Sequence, residues 1–186
     1  TLKIILVKVI MTKLLDHIKS RFKIVVVDTE FQSDKASEAY CTKALCAVYK
    51  DLSTGQIIKI WDYEQDNLAQ HHFDFNSTIF VCWYGIAEAG YFLQQLMGRP
   101  PYIFDCWTEY AKLYKNRRDL SLLAAATAYA YPNPISKEEK DRFRDMCIEQ
   151  NTWTESEKEE ILNYCKGDVL MNEHVFYKIL NDLENI

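Results

Sequence analysis

The chain has 186 residues, with 22 Lys and Arg against 27 Asp and Glu, for a formal net charge of −5. That length fits one domain with a short appendage, and a composition of 48% hydrophobic and 26% charged residues excludes disordered, collagenous and disulfide-built chains. The acidic balance also argues against a protein that grips nucleic acid through a broad positive field, because such affinity comes mostly from Lys and Arg.

Residues 2–10 are apolar but interrupted by Lys3 and Lys8, too short to span a membrane and without a small-residue cleavage site, so no membrane partner is expected. Met11 is a candidate natural start. Residues 1–22 are assigned to an N-terminal extension and residues 23–186 to the domain. Cys41, Cys46, Cys82, Cys106, Cys147 and Cys165 form no C-x-x-C pair and read as reduced core thiols of a cytoplasmic protein.

In chain order, residues 14–21 suggest a short helix. Ile24-Val25-Val26-Val27 is a β-branched run typical of a strand buried on both faces, with Asp28 at its end. Strands are expected at 41–49 and 56–61, joined through a turn at 51–55 that places Gly55 where positive φ is needed. A fourth strand follows at 78–82, then a helix over about 86–97 that stops at Gly98 and Pro100, then a fifth strand at 102–104. Helices are expected at 106–114, 120–129 and 137–149, with Pro132 and Pro134 as breakers between the last two. A final helix opens on a capping box, Thr154 with Glu157, and carries Ile161, Cys165, Val169, Phe176 and Leu180 at helical spacing. Three antiparallel strands, then β-α-β, then helices make an α/β fold with a mixed five-stranded sheet.

Three patterns carry chemistry. Asp28-Thr29-Glu30 puts two carboxylates on one side of a strand, since positions i and i+2 share a face. Such a pair is either an acidic surface turn or a site whose repulsion a hard divalent ion offsets. Tyr164 and Asp168, four apart on the last helix, project together, either as a packed phenol beside a surface acid or as a hydroxyl that orients water next to a metal ligand. Glu88 opens the helix after the fourth strand, where a carboxylate is favoured by the dipole alone and would also face the crevice. Asp105 reads as an N-cap. Lys112, Lys115, Arg117 and Arg118 form one basic cluster, and His17, His71, His72 and His174 lack zinc spacing.

The order D-x-E on a first strand, an acid at a mid-chain strand-to-helix turn, and Y-x-x-x-D on a late helix resembles the DEDD superfamily of 3′-5′ exonucleases. Tyr164 marks the tyrosine subtype; the histidine subtype would have His where this chain has Asn163. Residues 121–126, 137–148 and 164–169 further resemble proofreading domains of family-A, phage-type DNA polymerases, and the likeness covers about residues 23–180. The middle motif departs from the usual Asp by carrying Glu88, a longer arm with the same charge.

The resemblance implies a ribonuclease H-like fold and a two-metal hydrolysis of single-stranded or frayed DNA 3′ ends to nucleoside 5′-monophosphates. Asp28, Glu30, Glu88 and Asp168 would bind two ions, Mg²⁺ or Mn²⁺, and Tyr164 would position the attacking water. Phe31, Trp83 and Tyr84 flank the motifs as candidate base-stacking residues or as plain core. The single-stranded DNA 3′ end is the implied partner, RNA being the other substrate considered, and the chain is either a free-standing exonuclease, an excised proofreading domain or a subunit that joins a DNA polymerase. A ribonuclease D-like exoribonuclease and a catalytically silent binding module are the alternatives. The acidity does not oppose this reading, because residues 1–137 carry +2 and residues 138–186 carry −7.

Overall fold

The computed structural model describes residues 16–34, 37–61, 73–95 and 98–185. Of the expected extension it describes a helical segment at 16–21 and Phe22; residues 1–15, with Met11, and His71 and His72 lie outside the described residues.

Strand β1 (Lys23–Asp34) is the middle of a five-stranded sheet of order β3-β2-β1-β4-β5. It pairs antiparallel with β2 (Ser37–Asp51), which pairs antiparallel with β3 (Ile57–Trp61). On its other side it pairs parallel with β4 (Thr78–Cys82), and β4 pairs parallel with β5 (Ile103–Asp105). The β-branched run predicts this central place. Ile24, Val25, Val26 and Val27 are at most 5% exposed, and each such burial contributes roughly 1.5–3 kcal/mol.

Because side chains alternate, the two sheet faces build separate cores. Val25 and Val27 meet Tyr49, Phe80, Tyr91 and Phe92, the last two from α1 (Gly85–Gln94). Ile24 and Val26 face a larger core with Val48, Val81, Ile161 and Val169. That core is closed by α2 (Cys106–Leu113), α3 (Leu122–Ala128), α4 (Lys137–Glu149) and α5 (Glu155–Leu183). Helix α5 starts where expected: the Thr154 side chain accepts from the Glu157 amide while the Glu157 carboxylate accepts from the Thr154 amide at 2.7 Å.

Several boundaries differ from expectation: the second strand, expected at 41–49, spans Ser37–Asp51, the fifth, expected at 102–104, spans Ile103–Asp105, and the helix expected at 120–129 spans Leu122–Ala128. Strand β1 does not end at Asp28 but runs to Asp34, because its antiparallel partner β2 continues beside it with register shifts after Glu30 and around Ser33. The parallel ladder with β4, in contrast, stops at Val26 opposite Val81. Helix α1 ends at Gln94, and residues 96 and 97, its expected end, lie outside the described residues. The turn at Asp51 is as read: Gly55 has φ 74°, and its amide donates to the Asp51 carbonyl at 2.8 Å. All six cysteines are buried and none forms a disulfide. Among the described residues, no helix is long and apolar enough to cross a membrane.

Candidate metal centre

Asp28 and Glu30 stand on the face of β1 that carries Ile24 and Val26, toward α5. Since β4 has already ended its pairing, β1 has only β2 beside it here, and its inner face opens into a crevice at the carboxyl end of the parallel strands. Both residues are half-buried. From α5 come Tyr164 and Asp168, 8% and 5% exposed, and from the first turn of α1 comes Glu88, 4% exposed. The ring of Tyr164 lies flat on Phe143 of α4, centroids 4.8 Å apart and planes at 20°, which fixes its direction. Its hydroxyl lies near enough to the Asp168 carboxylate to lower that acid's proton affinity.

Crowding four acids into an interior crevice shows in their proton affinities. Burial, then the charge of Asp168, pushes the Asp28 carboxyl up to about 8. Burial and the charges of Asp28 and Asp168 raise Glu30, and burial and Asp28 raise Glu88. Burial raises Asp168, opposed by Lys140 and by the Tyr164 hydroxyl. Burial and the Asp168 charge hold the Tyr164 phenol well above its ordinary range, so it stays neutral.

Three buried carboxylate oxygens, Asp28 Oδ2, Glu88 Oε2 and Asp168 Oδ1, have no hydrogen-bond partner. Unsatisfied, buried and of one sign, they form an arrangement that costs several kcal/mol unless a cation offsets it. By donor chemistry such carboxylates suit a hard divalent ion such as Mg²⁺ or Mn²⁺, while among the described residues only Asp28, Glu30 and Cys165 bring ligand atoms within 4.8 Å of one another.

Asp105 does not join this set. Its Oδ1 accepts from the Thr108 amide at 3.0 Å as the N-cap of α2, as expected, and its Oδ2 accepts from the Gly85 amide at 3.1 Å. It therefore ties the start of α1, and with it Glu88, to the end of β5. Phe31 packs against the Val25 core, and Trp83 packs on the opposite core with its ring 5.8 Å from that of Tyr110. Tyr84 remains 39% exposed, in edge contact with Trp107 at 5.5 Å. Lys112 pairs with Glu109 at 2.7 Å, and Arg117 lies over the rings of Tyr110 and Tyr114. His17 is exposed, and His174 contacts the Tyr129 carbonyl at 3.0 Å.

Sequence reasoning missed three contributors. Lys140 is the cation whose field lowers Asp28, Glu30 and Asp168; it sits three residues before Phe143, a spacing that would have placed it on the site's side of α4. Cys165 donates its thiol to the Asp28 carbonyl at 3.2 Å, and its sulfur with one oxygen each of Asp28 and Glu30 forms a group within 4.8 Å. Trp107, half-buried, braces the exposed ring of Tyr84. No protein-family model matches the chain, and a search of curated proteins finds no match either.

Proposed function

We propose that the chain is a metal-dependent 3′-5′ exonuclease of ribonuclease H-like fold and tyrosine subtype, acting on single-stranded or frayed DNA ends. The observation that carries this reading is the set of three buried, unpartnered carboxylate oxygens on Asp28, Glu88 and Asp168, beside a phenol aligned by Phe143. The mixed sheet with two antiparallel and two parallel pairs is compatible with the fold.

Asp28, Glu30 and Asp168 would hold one ion, and Asp28 with Glu88 a second. When bound, two such ions supply the charge neutralisation that lets water attack a phosphodiester near neutral pH and lets the 3′ oxygen depart. The chain's own groups set the geometry. Tyr164, a neutral phenol aligned by Phe143 beside Asp168, orients the water rather than deprotonating it. Lys140 presents a positive charge to a phosphate entering an otherwise anionic crevice. Tyr84, braced edge-on by the half-buried Trp107, offers exposed ring surface against which a terminal base can stack without sequence readout.

The test is digestion of 3′-labelled single-stranded DNA and a matched RNA with Mg²⁺ or Mn²⁺, with EDTA as control. Stepwise loss of 5′-monophosphates from DNA, absent in EDTA, is the expected result. Faster shortening of RNA would move the protein to the ribonuclease D-like alternative. No metal-dependent shortening at high protein concentration would leave a binding module, and a DNA polymerase partner would then be sought by co-purification rather than by activity.

A further inference from the structure

The tightest metal-competent group in the crevice is not the all-oxygen one. One oxygen of Asp28, one of Glu30 and the sulfur of Cys165 all lie within 4.8 Å of one another. Two more thiols lie near the same acid: Cys46 is directly opposite Glu30 in the β1–β2 register, on the same face, and Cys147 on α4 has its thiol raised by burial and then by the Glu30 charge. Asp168, 5% exposed and with Oδ1 unpartnered, adds negative charge facing Asp28 and Glu30 from α5. A hard ion has no use for sulfur. A thiophilic ion does, and a set of carboxylates with a thiolate suits Zn²⁺ or Cd²⁺.

We infer that the crevice also binds a thiophilic divalent ion, Zn²⁺ or Cd²⁺, through Cys165, Asp28 and Glu30, and that this ion excludes the hard ions from the shared carboxylates. On binding, the Cys165 thiol releases its proton to solvent and gives up its bond to the Asp28 carbonyl; a sulfur–metal bond forms, and no electrons are transferred. The half-buried state of Asp28 and Glu30 gives the ion its way in. Binding follows from the residues alone, whereas inhibition by such an ion rests on the exonuclease reading.

The experiment titrates the intact chain with Cd²⁺ while following the ultraviolet thiolate-to-cadmium charge-transfer band, and measures Mn²⁺ binding by calorimetry with and without Cd²⁺. The wild-type chain should develop the band and lose Mn²⁺ binding as it does so. Cys165→Ser and Cys165→Ala should weaken Cd²⁺ binding about 10-fold or more while still binding Mn²⁺, which also shows that they fold. Cys106→Ser, in a thiol outside the cluster, should leave the band intact. A chain that binds Mn²⁺ but develops no band, or a band that survives both Cys165 variants, overturns the inference and leaves the exonuclease reading standing. A Cys165-dependent band in a chain without nuclease activity upholds the inference and removes that reading.

Discussion

At the scale of single residues, Asp28 concentrates the conflict between folding and function. Its carboxyl, at about 8 against 3.8 unperturbed, takes up a proton more readily in the folded than in the unfolded chain. That group's contribution to stability is therefore full below about pH 4 and is lost as pH rises through 8. In EDTA, the melting temperature should fall between pH 5 and pH 8.5, and saturating Mn²⁺ should flatten the decline; a flat profile without metal would contradict the assigned crowding. Asp28→Asn should lower hydrolysis by about 10³-fold or more. The same change should raise metal-free stability at neutral pH by roughly 1–3 kcal/mol in denaturant titration, since a neutral amide spares the proton uptake that burial forces on the carboxyl. The pairing of Asp28 with Glu30 was legible because a strand repeats every second residue. Lys140 and Cys165 were not, because their approach depends on how α4 and α5 sit on the sheet, which no local period encodes.

At the scale of elements, the link between β5 and α1 decides where Glu88 stands. Gly85 is there for closeness: a Cβ at this position would lie 3.1 Å from Ile103 Cγ2 and 3.2 Å from Asp105 Oδ2. Gly85→Ala should push these apart, costing about 1–3 kcal/mol and weakening Mn²⁺ binding as α1 shifts. Unchanged melting and calorimetry would mean that the carboxylate yields without moving the helix. Element types were readable throughout, from the β-branched run, the Gly55 turn and the Thr154–Glu157 cap. The true end of β1 was not, because it is set on one edge by a parallel neighbour that stops at Val26 and on the other by an antiparallel neighbour that continues past Glu30. A strand with one short and one long partner has no single end in its own sequence, and that mismatch is what opens the crevice.

For the molecule as a whole, the acid excess lies in residues 138–186, the segment that supplies α4 and α5, so a nucleic-acid strand meets little general attraction. On the proposed function, binding would then depend on the metal ions, Lys140 and the exposed ring of Tyr84. Digestion should be distributive, with the logarithm of KM rising against the logarithm of salt with a slope of about 1 to 2, as for few phosphate contacts. Long processive runs by the chain alone would refute this. An order of elements and a handful of acids sufficed to suggest the class of chemistry, whereas the thiols that border it emerged only when β2, α4 and α5 were seen to converge on Glu30.

Helix α5, at 29 residues, is about 44 Å long and carries Asp168 close to its midpoint. One end is set beside Trp153, whose ring meets Trp61, and the other is tied where Asp182 accepts from the hydroxyls of Tyr114 and Tyr129, each at 2.7 Å. A rod anchored at both ends cannot fray toward its centre. Amides of residues 161–176 should thus exchange with deuterium only through global unfolding, more slowly than those of α3 or α4, and the Tyr164 phenol would be held by the slowest-opening segment of the protein.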